Sequence, residues 1–281
     1  MVTDREPSRQ RVPRLPRRAR DGHKGTFGTV GVLAGSDGML GAAILCARGA
    51  LRGGAGLVRV YLPRSLAAPF TVAVPAATTR ARRAASSDDC DAMVIGPGLG
   101  ATPATRALVR ACLVRAACPL VLDADALNVL APLRTKVTGR STLKARAACV
   151  LTPHSGEAAR LLASTVAAVQ RDRAHAARTL AARSGQIVVL KGARTLVTDG
   201  DRLFTNSTGN PGMGTGGSGD VLAGLLGALL AQGLPAFDAA CLAVHAHGAA
   251  GDLVARRLSE PGLCAEDLPL AIAEVLKRYE R

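Results

Sequence analysis

Residues 206–220 read Asn-Ser-Thr-Gly-Asn-Pro-Gly-Met-Gly-Thr-Gly-Gly-Ser-Gly-Asp, and Gly209, Gly212, Gly214, Gly216, Gly217 and Gly219 leave much of that backbone without a Cβ. One carboxylate, Asp220, closes the stretch, and the apolar run Val221–Leu230 that follows is long enough for a helix. A glycine-rich turn feeding a helix N-terminus converges several N–H groups on one small volume, backed by the positive end of the helix dipole. Gly216, Gly217, Ser218 and Gly219 are therefore expected to form an anion hole suited to phosphate. A carboxylate beside phosphate is anomalous unless it faces a substrate hydroxyl, as the general base of a phosphoryl transfer would. Asp220 is assigned that role. A plainer reading competes with it, because glycine-rich loops also serve as flexible connections and first-turn acids complement the helix dipole. No Gly-Lys-Ser/Thr closes the loop, so it is not a Walker A motif.

The elements that must position these residues alternate along the chain. Short apolar runs at Thr29–Leu33, Leu57–Tyr61, Ala92–Ile95, Leu120–Leu122, Cys149–Leu151 and Ile187–Leu190 predict strands, and several end in turn signals: Gly35-Ser36-Asp37-Gly38, Gly96-Pro97-Gly98, Asp123-Ala124-Asp125 and Thr152-Pro153-His154. Helical patterns lie between them; Thr102-Pro103, for instance, supplies an N-cap and a proline at the first helical position. This predicts an α/β fold with a doubly wound, mainly parallel sheet flanked by helices, in which ligands bind beyond the carboxyl ends of the strands. Asp199-Gly200-Asp201 predicts a hairpin within Thr195–Phe204. Three helices are expected after the glycine-rich loop, over 217–232, about 236–258 and 265–280, with no further strand.

Other residues at these strand ends could bind ligands. Lys191-Gly192 follows a strand and could approach a nucleotide phosphate, although spacing alone favours a solvated lysine. His154 could hydrogen-bond a ligand, while Glu157 could simply be a first-turn acid. Asp123 and Asp125 could lie near a magnesium-bound phosphate or cap a helix. His245 and His247, two apart on a predicted helix, point to different faces and read as structural. The turns at Gly96–Gly100 and Gly38–Ala43 could each let a ligand lie on bare backbone.

The chain has 281 residues, 48% of them hydrophobic but only 2% aromatic, with no tryptophan. Ala, Val and Leu must build the core. The net charge of +15 is unevenly distributed, and seven arginines and three prolines crowd the first twenty residues. No apolar run follows, so neither a signal peptide nor an anchor is expected, and residues 1–22 are read as a flexible arm before a single domain over 23–281. Basicity alone is a weak nucleic-acid footprint, and the aromatic platforms of single-strand binders are missing, so no nucleic-acid partner is expected. Seven scattered cysteines without a Cys-x-x-Cys pair read as buried residues in a reducing compartment. The longest apolar stretch is too short to span a bilayer, and a soluble, cytoplasmic protein without a membrane partner is expected.

Together the segments His23–Ala43, Leu51–Val58, Ile95–Gly100, Leu122–Asn128, Thr152–Glu157, Lys191–Ala193 and Gly209–Asp220 resemble the NAD(P)H-hydrate dehydratases, ADP-dependent in bacteria and ribokinase-like in fold. Ser155, Gly214 and Ser218 depart from the usual pattern without removing a functional group, and the N-terminal epimerase domain often fused in this family is absent from the sequence. The resemblance implies a metabolite-repair lyase acting on (6S)-NADHX or NADPHX, with ADP or ATP as co-substrate and Mg²⁺ as cofactor, in a homo-oligomer, a tetramer. It implies that Lys191, Gly192, Ala193, Arg194, Thr195 and Gly219 hold the adenine nucleotide. Ala42, Gly98, Gly100, His154 and Asp220 would then face the dinucleotide; which glycine of the 96–100 turn makes contact stays open, as do the magnesium ligands. A kinase of the same fold, phosphorylating a vitamin precursor with ATP, is the alternative.

Overall fold

The computed structural model describes residues 12–133, 143 and 145–280. Nine strands form one sheet in the order β3-β2-β1-β4-β5-β6-β7-β8-β9. They are β1 (Thr29–Leu33), β2 (Leu57–Leu62), β3 (Thr78–Ala81), β4 (Ala92–Ile95), β5 (Leu120–Leu122), β6 (Cys149–Leu151), β7 (Ile187–Leu190), β8 (Leu196–Thr198) and β9 (Leu203–Thr205). Every pairing from β3 across to β7 is parallel, and β8 and β9 close one edge as an antiparallel hairpin. All six predicted strands and the hairpin are present. Strand β3 was not predicted: its Thr-Thr-Arg-Ala sequence lies exposed at the sheet edge, where no buried face imposes an apolar pattern.

The sheet is apolar on both faces, and successive strand residues alternate between them. Val30, Val32, Val58, Val60, Val94, Val121 and Val189 face one core cluster. It is completed by α1 (Leu40–Arg52), α8 (Ser218–Ala231), α9 (Ala236–Arg257) and α10 (Leu268–Leu276). Leu33, Met93, Ile95, Leu120, Leu122, Leu151 and Leu190 face the other. That layer contains α3 (Pro103–Arg115), α4 (Asp125–Leu130), α5 (Ser155–Leu162) and α7 (Arg173–Ser184). Two shorter helices, α2 (Ala67–Ala73) and α6 (Val166–Arg171), complete the set among the described residues.

Helix α8 lies backbone to backbone on α1. A methyl group on Gly224 would overlap the Cys46 carbonyl oxygen, and one on Gly49 would overlap that of Val221. This close approach fixes the height of the α8 N-terminus over the sheet. The predicted terminal helix over 265–280 is split, with 3₁₀ turns at Ala265–Asp267 and Lys277–Tyr279 flanking α10.

The expected arm needs correction. Its residues 1–11 lie outside the described residues, but residues 12–22 lie against the domain. Val12 and Leu15 pack on the first core cluster, the Leu15 amide donates to the Tyr279 carbonyl at 2.9 Å, and the Arg18 guanidinium sits 4.2 Å from the Phe27 ring centre. Two aliphatic side chains and one cation–π contact are enough to dock this short piece. Among the described residues, no helix is long and apolar enough to cross a membrane.

Candidate active site

The carboxyl ends of β5, β6 and β7, adjacent in the sheet, deliver Asp123, the segment Thr152–Glu157 and Lys191 to one place. Asp123 is 1% exposed. Its Oδ1 lies 2.6 Å from the Lys191 ammonium and 2.7 Å from the Thr152 hydroxyl. The same ammonium is 3.9 Å from Glu157 Oε2. Lys191 is therefore not the solvated strand-end lysine that spacing favoured, because its side chain reaches back across β6 to the acids. Burial alone would lower its pKa, yet the charges of Asp123 and Glu157 outweigh that and hold it above the ordinary lysine value. Burial raises the Glu157 carboxyl, against the pull of Lys191.

Asp220 stands in the first turn of α8. Burial, first, and the negative charges of Asp123, Glu157 and Asp125 push its pKa up to about 7, while Lys191 opposes them. A carboxyl poised there can exchange a proton at neutral pH. Gly217, in the left-handed region at φ 89°, turns the chain into the helix. The amides of Gly219 and Asp220 have no intrahelical acceptor, as at any helix start, and among the described residues no protein acceptor faces the amides of Gly216 and Gly217. The Ser218 amide differs, lying 3.4 Å from the Thr215 carbonyl. Gly216, Gly217, Ser218 and Gly219 thus lead directly into Asp220, and the Ser218 amide is the least available donor among them. Gly219 sits directly against Lys191, since an added Cβ would come 3.2 Å from Nζ. The glycine-rich loop and the Lys191 corner meet at that residue.

His154 caps α5. Its Nδ1 accepts from the Gly156 and Glu157 amides at 2.9 and 3.3 Å, and its own amide donates to Glu157 Oε2 at 2.8 Å. With Nδ1 accepting, the neutral ring carries its proton on Nε2. Glu157 is a first-turn acid of α5, and Nε2 of the half-exposed imidazole lies 3.4 Å from its Oε1. On the β4 side, Gly98 packs on Met39 and Ala42, with its carbonyl accepting from the Ser36 hydroxyl at 2.8 Å. The Gly100 amide donates to Asp125 Oδ2 at 2.8 Å, and an added Cβ there would have nothing closer than 3.9 Å. Gly98 is thus fixed by its neighbours, and Gly100 leaves open space. Gly192, Ala193 and Arg194 follow Lys191 as an exposed loop, with the Thr195 hydroxyl donating to the Gly192 carbonyl at 2.9 Å.

Three supporting residues escaped sequence reading. Asp252 of α9 accepts from the Gly209 amide at 2.9 Å and the Asn210 side-chain amide at 3.1 Å, anchoring the start of the glycine-rich loop. His247, read only as structural, sits with Nε2 3.0 Å from the Ser218 carbonyl, and burial lowers its pKa to about 4, so it stays neutral. Arg173 buttresses the loop after Lys191. None had a signal in the sequence, since each contact joins residues far apart in the chain. As for magnesium, Asp123 is already engaged by Lys191 and Thr152, and among the described residues no group of three or more His, Cys, Asp or Glu could hold a metal ion. The acids here do not fit a protein-built metal cage.

A carboxyl near neutrality, unpaired amides at a helix start and a lysine–carboxylate pair suit transfer of a phosphoryl group to a hydroxyl. The profile of the NAD(P)H-hydrate dehydratase family matches residues 30–273. An ADP-dependent (S)-NAD(P)H-hydrate dehydratase of Neisseria meningitidis serogroup B is 44% identical over 231 residues, 79% of this chain and 76% of that one. A bifunctional NAD(P)H-hydrate repair enzyme of Moorella thermoacetica is 41% identical over 264 residues, 88% of this chain but 49% of its own length. The chain thus spans about half the length of the bifunctional relatives it matches. Among solved structures, the ADP/ATP-dependent NAD(P)H-hydrate dehydratase of Bacillus subtilis, co-crystallised with ATP and Mg²⁺, superposes with a TM-score of 0.85 at 33% identity, covering 96% of this chain and all of that one. The expected ribokinase-like fold is present. By sequence, by architecture and by the residues gathered around Asp220, this chain belongs to the NAD(P)H-hydrate dehydratase family.

Proposed function

We propose that the protein uses ADP to dehydrate (6S)-NADHX and NADPHX to NADH and NADPH, releasing AMP and phosphate. The observation that carries this reading is the Asp220 carboxyl, held near neutrality beside the unpaired amides of the α8 N-terminus. The substrate bears a hydroxyl on C6, next to the ring nitrogen, and hydroxide is a poor leaving group. Asp220 takes the hydroxyl proton as the oxygen attacks the terminal phosphorus of ADP and the bond to AMP breaks. The amides of Gly216, Gly217 and Gly219 hold the developing charge, a contribution worth about 10²–10³ in rate per donor. The nitrogen lone pair then expels phosphate, and loss of the C5 proton completes the double bond. A kinase fold thereby gives a lyase outcome.

In this reading the nucleotide lies along Lys191, Gly192, Ala193, Arg194, Thr195 and Gly219, and the dinucleotide along Ala42, Gly98, Gly100 and His154. The ammonium of Lys191 lies beside Gly219, where an added Cβ would come 3.2 Å from it. Magnesium would come with the nucleotide, its charge neutralising phosphate oxygens. The homotetramer and the 23–281 domain boundary belong to the same proposal, with residues 12–22 docked on that domain. The test is absorbance at 340 nm after mixing the protein with hydrated NADH and either ADP or ATP. Recovery of absorbance with stoichiometric AMP from ADP supports the proposal. A stable phosphorylated product without recovery would point to a kinase instead.

A further inference from the structure

One side chain holds the loop that follows β7. Arg173, the first residue of α7, turns its guanidinium under that loop and donates to the carbonyls of Leu190 at 3.1 Å, Lys191 at 3.2 Å and also Ala193. Its Nε is buried, with no partner among the described residues. A peptide plane is trans, so a carbonyl turned toward Arg173 turns the next amide away. The Lys191 amide, turned away in this manner, donates to the Pro153 carbonyl at 2.8 Å. The Gly192 and Arg194 amides point outward likewise, and among the described residues neither has a protein acceptor.

The conformation that Arg173 imposes is one a chain rarely adopts unaided. Gly192 has φ 136° and Arg194, which is not glycine, has φ 54°. An added Cβ on Gly192 would lie 3.1 Å from a guanidinium nitrogen, so the loop rests directly on the cation. The outer surface presents two amides pointing to solvent with a positive charge behind them. That is a surface for an anion such as a nucleotide phosphate.

We propose that Arg173 is a positioning residue for the nucleotide, presenting the Gly192 and Arg194 amides to its phosphates without touching them itself. The inference rests on the reading that residues 191–195 hold ADP. Its test uses the full-length protein carrying Arg173→Met or Arg173→Lys, with steady-state kinetics in ADP and hydrated NADH and calorimetric titration with ADP. Arg173→Met should raise the KM and Kd for ADP about tenfold or more, the weight of one or two charge-assisted hydrogen bonds. Meanwhile kcat and the KM for hydrated NADH should stay within about twofold, because the Arg173 guanidinium reaches only the carbonyls beneath the loop. Arg173→Lys should restore part of the ADP affinity, since an ammonium reaches fewer carbonyls than the planar fork. Gly192→Val, which strains the loop itself, is the control. If it weakens ADP while Arg173→Met does not, the positioning role is overturned and the nucleotide loop stands. Unchanged ADP affinity in Gly192→Val overturns the loop reading, and the proposal with it. A joint loss of kcat, both KM values and melting temperature in both Arg173 variants would make Arg173 a residue of the fold only, and also overturns it.

Discussion

Two loops present bare backbone at the same end of the sheet, and they are held in opposite ways. The glycine-rich loop before α8 is moulded onto α9 by many small contacts. Asn206 donates to the Val244 carbonyl at 3.1 Å, Thr208 to that of His245 at 2.9 Å, and Asp252 receives Gly209 and Asn210. Met213 fills the space left by Gly251, where an added Cβ would come 2.6 Å from its Cγ. The loop after β7 rests instead on Arg173. Distributed contacts suit a segment that must fix a base against reacting atoms, where small misplacements cost rate. A single clamp suffices where only binding is required. Variants of the first loop should therefore show in kcat, and variants of the second in the KM for ADP.

The largest expected effect tests the first half of that contrast. Asp220→Asn keeps the shape and removes the proton acceptor, so kcat should fall by about 10³ with ADP affinity nearly unchanged. The same variant should be more stable than the parent at pH 8. The native carboxyl is pushed up to about 7, so its contribution to stability is fully present below the unfolded value near 3.8 and is lost as pH rises through 7. The gain at pH 8 should be about 4 kcal/mol, shrinking to nothing near pH 4. Chemical denaturation at the two pH values measures it. Equal stability at pH 8 would place Asp220 in an ordinary solvated environment.

Gly219 is the point at which the two loops meet, and substitution there should blur the contrast. In Gly219→Val the new Cβ crowds the Lys191 ammonium and stands 4.0 Å from Asp123 Oδ2, besides obstructing the amides. ADP affinity should drop about 10- to 100-fold and kcat should fall as well. A folded variant with parental ADP affinity by calorimetry would remove the anion site.

A smaller effect concerns how the base is tuned. The acid limb of log kcat/KM should rise with unit slope up to about pH 7, as Asp220 loses its proton. Among charges, Asp123 is the largest cause of that elevation. Asp123→Asn should therefore move the limb to lower pH, because the repelling charge is gone while Lys191 remains. An unmoved limb would assign it to another group, and a limb moved upward would show that Asp123 acts mainly by holding Lys191 in place.

Much of this arrangement is written locally. Six of the seven parallel strands announced themselves as apolar runs, several ending in turn residues, and the loop before α8 as glycine spacing before a helix. Strand β3 gave no such notice, since an exposed edge strand needs no apolar alternation. Lys191 was misjudged for a different reason. Its neighbours in sequence say only that a strand ends there, while its fate is set by Asp123, two strands away in the sheet. Arg173 and Asp252 were equally silent, because one arginine or aspartate among many on helices carries no pattern. Local backbone chemistry is legible; long-range charge pairing is not.

The smallest expected effect comes from the N-terminal segment, whose described residues reach the first loop through intermediaries. Leu15 donates to the Tyr279 carbonyl, the Tyr279 hydroxyl lies 2.7 Å from His245 Nε2, and the His245 carbonyl accepts from Thr208 at the start of the glycine-rich loop. Deleting residues 1–11 should leave activity and melting temperature near the parental values, since eight of those eleven positions carry polar or charged side chains. Deleting residues 1–20 removes the partly buried Val12 and Leu15 and the Arg18–Phe27 contact as well, at about 1–3 kcal/mol of stability. That corresponds to a fall of several degrees in melting temperature. Because α9 holds the loop at several further points, kcat should stay within about twofold in both deletions. If the longer deletion instead lowers kcat tenfold without unfolding the protein, the relay through Tyr279 and His245 is part of what fixes the loop. The contrast between distributed and single-point support would then extend to the N-terminal segment.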